Sequence, residues 1–105
     1  MPVSCIIAAY NEQQRIAGVI SSVIRSKSVD EIIVVDDCSQ DNTKNEVRKF
    51  KGVKLLINHG NWGKLGSLAR GVKFAKGDLL LFLDADLIGL TATDVKNLIA
   101  PVKNG

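Results

Sequence analysis

The chain is 105 residues long, 46% apolar and 24% charged, with fourteen basic and eleven acidic residues for a net charge of +3. That size suits one compact domain, or one structural half of a larger one, and leaves no room for a second independent core. The basic residues are scattered, and only three phenylalanines, one tyrosine and one tryptophan could stack on bases, so nucleic acid is not an expected partner. No apolar run nears the ~20 residues that span a bilayer. No basic amino-terminal region with a cleavage site opens the chain, and the expected location is the cytosol, or the cytosolic face of a membrane in a longer parent.

In chain order, strand-length apolar runs occur at residues 3–9, 32–36, 53–57 and 79–83. They are continuous rather than alternating, which is the pattern of strands covered on both faces in a parallel sheet. Between them lie helical repeats at i, i+3 or i+4: Ile16, Ile20, Val23 and Ile24, then Thr43, Val47 and Phe50, then Leu65, Leu68, Ala69 and Val72. Gly52 and Gly77 are placed to close the second and third helices. A fourth repeat, Val95, Leu98, Ile99 and Val102, follows Thr91, which stands three before Asp94 in a capping box, and Pro101 is expected to fray or end it. The order β-α-β-α-β-α-β-α predicts a three-layer, Rossmann-like open parallel sheet with its ligand crevice at the carboxyl ends of the strands.

Polar clusters fall at three of those ends. After the first strand comes A-A-Y-N-E at 8–12, after the second D-D-C-S-Q-D-N-T at 36–43, and at the end of the fourth D-A-D at 84–86. Asn11, Ser39 and Asp41 read as helix N-caps. Capping does not account for Asp84 and Asp86, whose spacing along an extended chain puts two carboxylates on one side after a very apolar run. A hard cation such as Mg²⁺ or Mn²⁺, held by one or two carboxylates and substrate phosphate oxygens, supplies a reason. Of Asp36 and Asp37, one suffices for a turn and the other suits the hydrogen-bond donors of a nucleotide. Lys64 reads as a phosphate contact or as a solvated lysine at a helix start. His59 reads as an exposed loop residue, and Trp62 as a core plug or a stacking surface. Gly60, Gly63 and Gly66 match neither the dinucleotide fingerprint nor the Walker spacing. Cys5 and Cys38 lack metal or redox spacing and read as reduced thiols.

With these motifs placed, the sequence resembles the amino-terminal, nucleotide-sugar-binding half of inverting family 2 glycosyltransferases of the A-type fold, dolichyl-phosphate mannose synthase-like enzymes among them. The matching segments are residues 8–12, 34–43, N-H-G-N-W-G-K at 58–64, A-K-G-D at 75–78 and L-D-A-D at 83–86. The resemblance implies that Ala8, Tyr10, Glu12, Val35, Asp37, Asp84 and Ala85 line the nucleoside site. It also implies that Asp84 and Asp86 hold Mg²⁺ or Mn²⁺, and that the donor is a UDP- or GDP-linked sugar. Ala8 stands where the family commonly has proline, Cys38 where it has glycine, and Leu87 and Ile88 offer no polar ligand after D-A-D.

Such enzymes take their general base and acceptor surface from sequence beyond the D-x-D. Residues 1–105 are therefore expected to form a donor-binding part, apparently truncated after that motif and without full transfer activity. Two other readings are a non-catalytic assembly module, which self-associates or pairs with a missing carboxyl-terminal half, and a D-x-D phosphatase with Asp84 as nucleophile. The phosphatase motif belongs on a first strand and before a small hydroxyl residue, neither of which holds here.

Overall fold

The computed structural model describes residues 1–104. Strands β1 (Val3–Ala9), β2 (Glu31–Asp36), β3 (Lys54–Ile57) and β4 (Leu79–Asp84) alternate with helices α1 (Ile16–Ser26), α2 (Thr43–Arg48), α3 (Gly63–Phe74) and α4 (Ala92–Asn104). Every pairing is parallel, in the order β3-β2-β1-β4. The chain winds outward from β1 through β2 to β3, then returns to the other side of β1 with β4. The carboxyl ends of β1 and β4 thus flank the point where strand order reverses, the place where open α/β sheets bind ligands.

The side chains of Val3, Cys5, Ile7 and Ala9 alternate onto the face covered by α1, α2 and α4, where they meet Ile16, Val19, Ile20, Val23, Val47, Val95 and Ile99 in the main core. Burial there pushes the Cys5 thiol up to about 12, and both cysteines are free thiols. Packing on the other face departs from the sequence expectation. The apolar repeat of α3 is not its inward side: Leu65 is 83% exposed, whereas Ser67 and Gly71 are buried. A Cβ on Gly71 would lie 2.5 Å from Cγ2 of Ile6 and 3.3 Å from Cγ2 of Val35. Small residues thus let α3 sit close over β1 and β2. Leu80 and Phe82 on β4 lie beyond its cover, Phe82 being 47% exposed.

Several local expectations are also corrected. Asn11, Ser39 and Asp41 do not stand at the N-caps, which are Arg15 for α1 and Asn42 for α2; Asp41 alone bonds into the start of a helix, accepting from Thr43 N–H at 2.9 Å. α3 ends at Phe74 and is capped by Ala75, two residues before Gly77. Gly77 serves instead where the chain passes β1: a Cβ there would lie 2.6 Å from Ser4 Oγ and 2.7 Å from Ser4 N. Pro101 lies inside α4, which continues to Asn104. The capping box forms as read, with Thr91 Oγ1 accepting from Asp94 N–H (3.1 Å) and Asp94 Oδ2 from Thr91 N–H (3.0 Å).

Lys27 closes α1 in the left-handed region at φ 54°. An L side chain there costs about 1–2 kcal/mol, and glycine loses about 0.5–1 kcal/mol of that advantage through its freer unfolded chain. Lys27→Gly is therefore expected to stabilise the fold by about 0.5–1 kcal/mol, read from chemical denaturation.

At the amino-terminal end of the strands, opposite the crevice, Glu31 accepts from Ser4 Oγ (2.7 Å), Lys76 N–H (2.9 Å) and the Lys54 ammonium. Burial alone would raise its pKa, but the bonds from Lys54, Lys76 and Ser4 outweigh it and hold the carboxyl at about 2. A depressed folded pKa contributes stability that is present above the unfolded value and lost as pH falls toward the folded one. For Glu31 the window runs from about pH 5 down to about pH 2. Acid melts should steepen across it, and Glu31→Gln should flatten them; identical pH profiles for the two proteins would contradict this account.

Candidate functional site

The crevice at the carboxyl ends encloses about 280 Å³ and is lined by Ala8, Ala9, Tyr10, Glu12, Asp37, Lys64, Ser67, Asp84, Ala85 and Asp86. Each strand end contributes for a local reason. β1 releases Tyr10, a residue that is 47% exposed. Ala8 pairs with Asp84 across the β1–β4 ladder, so the small side chain of Ala8 opens the floor beside that carboxylate. β4 stops at Asp84, and Asp86 lies in the turn that follows, yet both reach the same cavity.

Two loops of the crevice wall are laced together. Asn11 N–H donates to Ser39 Oγ (2.9 Å), Gln40 N–H to Asn11 Oδ1 (2.9 Å), Glu12 N–H to Thr43 Oγ1 (2.9 Å), Gln13 N–H to Asp41 Oδ2 (3.3 Å) and Asn42 N–H to Gln13 Oε1 (2.8 Å). Asn11, Ser39 and one oxygen of Asp41, all read as helix caps, thus accept hydrogen bonds between loops. Asn11 and Cys38 both take positive φ, 52° and 62°. At Cys38 this conformation gives a physical reason for the family's usual glycine.

Asp37 is the best-held carboxylate of the site. Its Oδ1 accepts from Trp62 N–H (2.7 Å) and Asn58 Nδ2 (3.0 Å), and its Oδ2 from Gly63 N–H (3.1 Å). Burial alone would raise its pKa, but the bonds from Asn58, Trp62, Gly63 and Ser67 outweigh it and hold the carboxyl below its ordinary value. Asn58 is itself buried, donating also to Ser67 Oγ (3.0 Å) and accepting from Arg70 (2.7 Å). Arg70 in turn lies 5.4 Å from the Trp62 ring centroid. Trp62 is 54% exposed, so it is not a core plug, and its ring lies outside the crevice lining.

The charges at the β4 end are paired. Lys64 donates to Asp84 Oδ1, and its pKa is raised by that hydrogen bond, by the Asp84 charge and by the more distant Asp86. Arg15 grips Glu12 with Nε to Oε2 (3.1 Å) and a second nitrogen to Oε1 (2.6 Å). The hydrogen bond and charge of Glu12 raise the Arg15 pKa, and Asp86 adds to the effect. Asp86 therefore sits in the field of two cations. Among the described residues there is no cluster of three or more His, Cys, Asp or Glu side chains able to cage a metal. Two carboxylates are the number that a divalent ion sharing its shell with phosphate oxygens can take from a protein, although Lys64 already pairs with one of them.

Of the sequence-predicted residues, Ala8, Tyr10, Glu12, Asp37, Asp84, Ala85, Asp86 and Lys64 converge on the crevice, while Val35 does not line it. Val35 points under Gly71 of α3 and is fully buried, because β2 side chains alternate and its neighbour Asp36 takes the other face. His59 is exposed, as read. Ala9 and Ser67 also line the crevice and were not among the sequence candidates. Ser67 carried a signal, a polar residue one turn beyond Lys64 in an otherwise apolar repeat.

The family model described as glycosyl transferase family 2 matches residues 4–105. The chain belongs to glycosyl transferase family 2. Among family 2 relatives, it is 38% identical over 87 residues to the Escherichia coli UDP-Glc:alpha-D-GlcNAc-diphosphoundecaprenol beta-1,3-glucosyltransferase WfgD, covering 80% of this chain and 34% of that protein. It is 33% identical over 90 residues to poly-beta-1,6-N-acetyl-D-glucosamine synthase of Staphylococcus epidermidis, covering 82% and 22%. The solved glucosyl-3-phosphoglycerate synthase of Mycobacterium tuberculosis, in complex with Mn²⁺, UDP and glucosyl-3-phosphoglycerate, superposes with a TM-score of 0.87 at 29% identity, covering 99% of this chain and 40% of that one. The same enzyme has been solved with Mg²⁺ and UDP, and with Mn²⁺, UDP-glucose and phosphoglyceric acid. The chain spans about a third or less of the length of the curated relatives it matches. Membership in family 2 displaces the phosphatase reading of the D-x-D. Among the described residues no helix is long and apolar enough to cross a membrane.

Proposed function

We propose that this chain forms the donor-binding part of an inverting glycosyltransferase, taking a UDP-linked sugar together with a divalent metal for transfer to an acceptor hydroxyl or a lipid phosphate. The observation that carries the reading is the convergence of Tyr10, Asp37, Lys64, Asp84 and Asp86 on one crevice at the strand-order reversal. The UDP and UDP-glucose complexes of the similar mycobacterial enzyme, with Mn²⁺ or Mg²⁺, support the choice of ligand.

In this reading the exposed Tyr10 ring offers a flat surface to the base. Asp37, fixed by the start of α3 and by Asn58, keeps a lone pair for a donor on the base. Asp84 and Asp86 face the ribose and the metal, and Lys64 meets the diphosphate as a point charge. A divalent cation held by Asp84 and Asp86 would offset the charge that builds on the leaving diphosphate.

Inverting transfer also needs a base for the acceptor hydroxyl. Asp37 is held by Trp62 and Gly63, Glu12 by Arg15 and Asp84 by Lys64, and Asp86 is assigned to the metal. The base is accordingly proposed to lie outside the described stretch.

The test is calorimetric titration of the purified chain with UDP and with GDP, each with and without Mn²⁺. Binding of UDP that strengthens with Mn²⁺ is expected; absence of binding under every condition would sink the reading. A second reading, an assembly module, is favoured by the outer edge of β4, which no strand pairs among the described residues, and by the exposed Phe82 on that strand. Light scattering that rises with protein concentration, in a chain that takes no nucleotide, would select it.

A further inference from the structure

The carboxylate pair at the end of β4 is not bare. The Lys64 ammonium is paired with Asp84 and also feels Asp86. Meanwhile the N-terminus of α3, from which Lys64 projects, has already given two N–H groups, those of Trp62 and Gly63, to Asp37. A free helix N-terminus is a ready anion site, but this one is partly used by a carboxylate of the chain itself. Positive charge for a diphosphate must therefore come from a side chain, and among those lining the crevice Lys64 is the cation.

Resting on the donor-site reading above, we propose that Lys64 is an exchangeable counter-ion: it neutralises Asp84 in the ligand-free protein and is handed to the diphosphate when metal and nucleotide bind together. The backbone need not move for this exchange. Gly63 is pinned by Asp37, while the four-carbon lysine stem, its side chain 63% exposed, has rotatable bonds enough to re-aim the ammonium. A divalent cation held by Asp84 would be repelled by the ammonium already paired with that carboxylate, so metal alone would bind against Lys64. A diphosphate removes that conflict by giving the ammonium a new partner. Metal and nucleotide then each strengthen the binding of the other by the same factor.

The experiment is Mn²⁺ uptake by the whole chain, followed by the electron paramagnetic resonance signal of free Mn²⁺, with and without UDP, for the wild type, Lys64→Gln and Lys64→Arg. Because the pair is solvent-exposed, Lys64→Gln should tighten binding of Mn²⁺ alone only modestly, about three- to fivefold. It should weaken UDP binding in saturating Mn²⁺ by roughly tenfold, as expected for loss of a charged hydrogen bond. Opposite changes of this kind distinguish an exchanged partner from a structural lysine, and Lys64→Arg, which keeps the charge, should recover most of both. Lys64 is exposed, so melting curves of the variants should overlay that of the wild type. If the wild type binds Mn²⁺ with UDP but Lys64→Gln leaves the affinity for Mn²⁺ alone unchanged or weaker, the exchange is overturned and the donor site stands. If the wild type takes up no Mn²⁺ in the presence of UDP, the donor-site reading itself fails, and the exchange with it.

Discussion

Asp86→Asn is expected to remove the dependence of UDP binding on Mn²⁺, lowering affinity in saturating metal by at least about 100-fold, the upper end of what losing even a supporting partner of a metal ligand costs. The substitution keeps the size of the side chain and removes only its charge. Asp86 follows the end of β4 in a turn and is exposed, so the fold should be unaffected. Weak metal-free binding of UDP should persist, because Tyr10 and Asp37 approach the cavity from β1 and β2 and are untouched. Calorimetry in EDTA and in Mn²⁺ separates the two terms. Equal Mn²⁺ enhancement in the wild type and the variant would remove Asp86 from the metal site and shift the assignment to Asp84 alone.

The largest expected effect on stability lies far from the crevice, at Gly77. A Cβ there would meet Ser4 Oγ at 2.6 Å, Ser4 N at 2.7 Å and Pro2 O at 3.0 Å. Two of these are backbone atoms at the start of β1, which is held by Asp30 and Glu31 through Val3 N–H and Ser4 Oγ. Relief requires moving a strand or giving up the Gly77 N–H to Ser4 Oγ bond of 2.8 Å. Gly77→Ala should therefore cost about 2–3 kcal/mol, the upper part of the usual range for overpacking, because backbone atoms are in the way. For a domain of this size that corresponds to a fall in melting temperature of roughly 10 °C or more. Gly60→Ala makes the control, since nothing lies within 4 Å of a Cβ there. A melting temperature for Gly77→Ala within a degree or two of the Gly60→Ala protein would refute the close-approach account.

The parallel strands and the acidic strand ends could be read from the sequence because each depends on a local signal: unbroken apolar runs for covered parallel strands, and two carboxylates at a spacing of two. What could not be read was the choice of distant partner. Asn11, Ser39 and Asp41 have the side chains of helix caps, but two loops close enough to bond each other compete for the same oxygens. The α3 repeat of Leu65, Leu68, Ala69 and Val72 looks like a buried stripe. The helix instead turns Ser67 and Gly71 inward, because close seating over Ile6 and Val35 needs small residues. The resemblance implies Val35 in the nucleoside site, yet strand alternation sends its side chain beneath Gly71. Gly77 resembles a helix stop, and its reason for being glycine is a strand more than seventy residues earlier in the chain.

The lacing of the loop after β1 to the loop after β2 also bears on the thermodynamics of binding. Its hydrogen bonds tie Asn11, Glu12 and Gln13 to Ser39, Gln40, Asp41, Asn42 and Thr43 before any ligand arrives. The wall proposed to receive the base is thus ordered by the chain's own hydrogen bonds, and little conformational entropy would remain to be lost there. The entropic cost of recognition falls instead on the Lys64 side chain and on the exposed residues after Asp84. A nucleoside without phosphates should accordingly bind with a small entropy penalty, and each added phosphate should make the binding entropy less favourable.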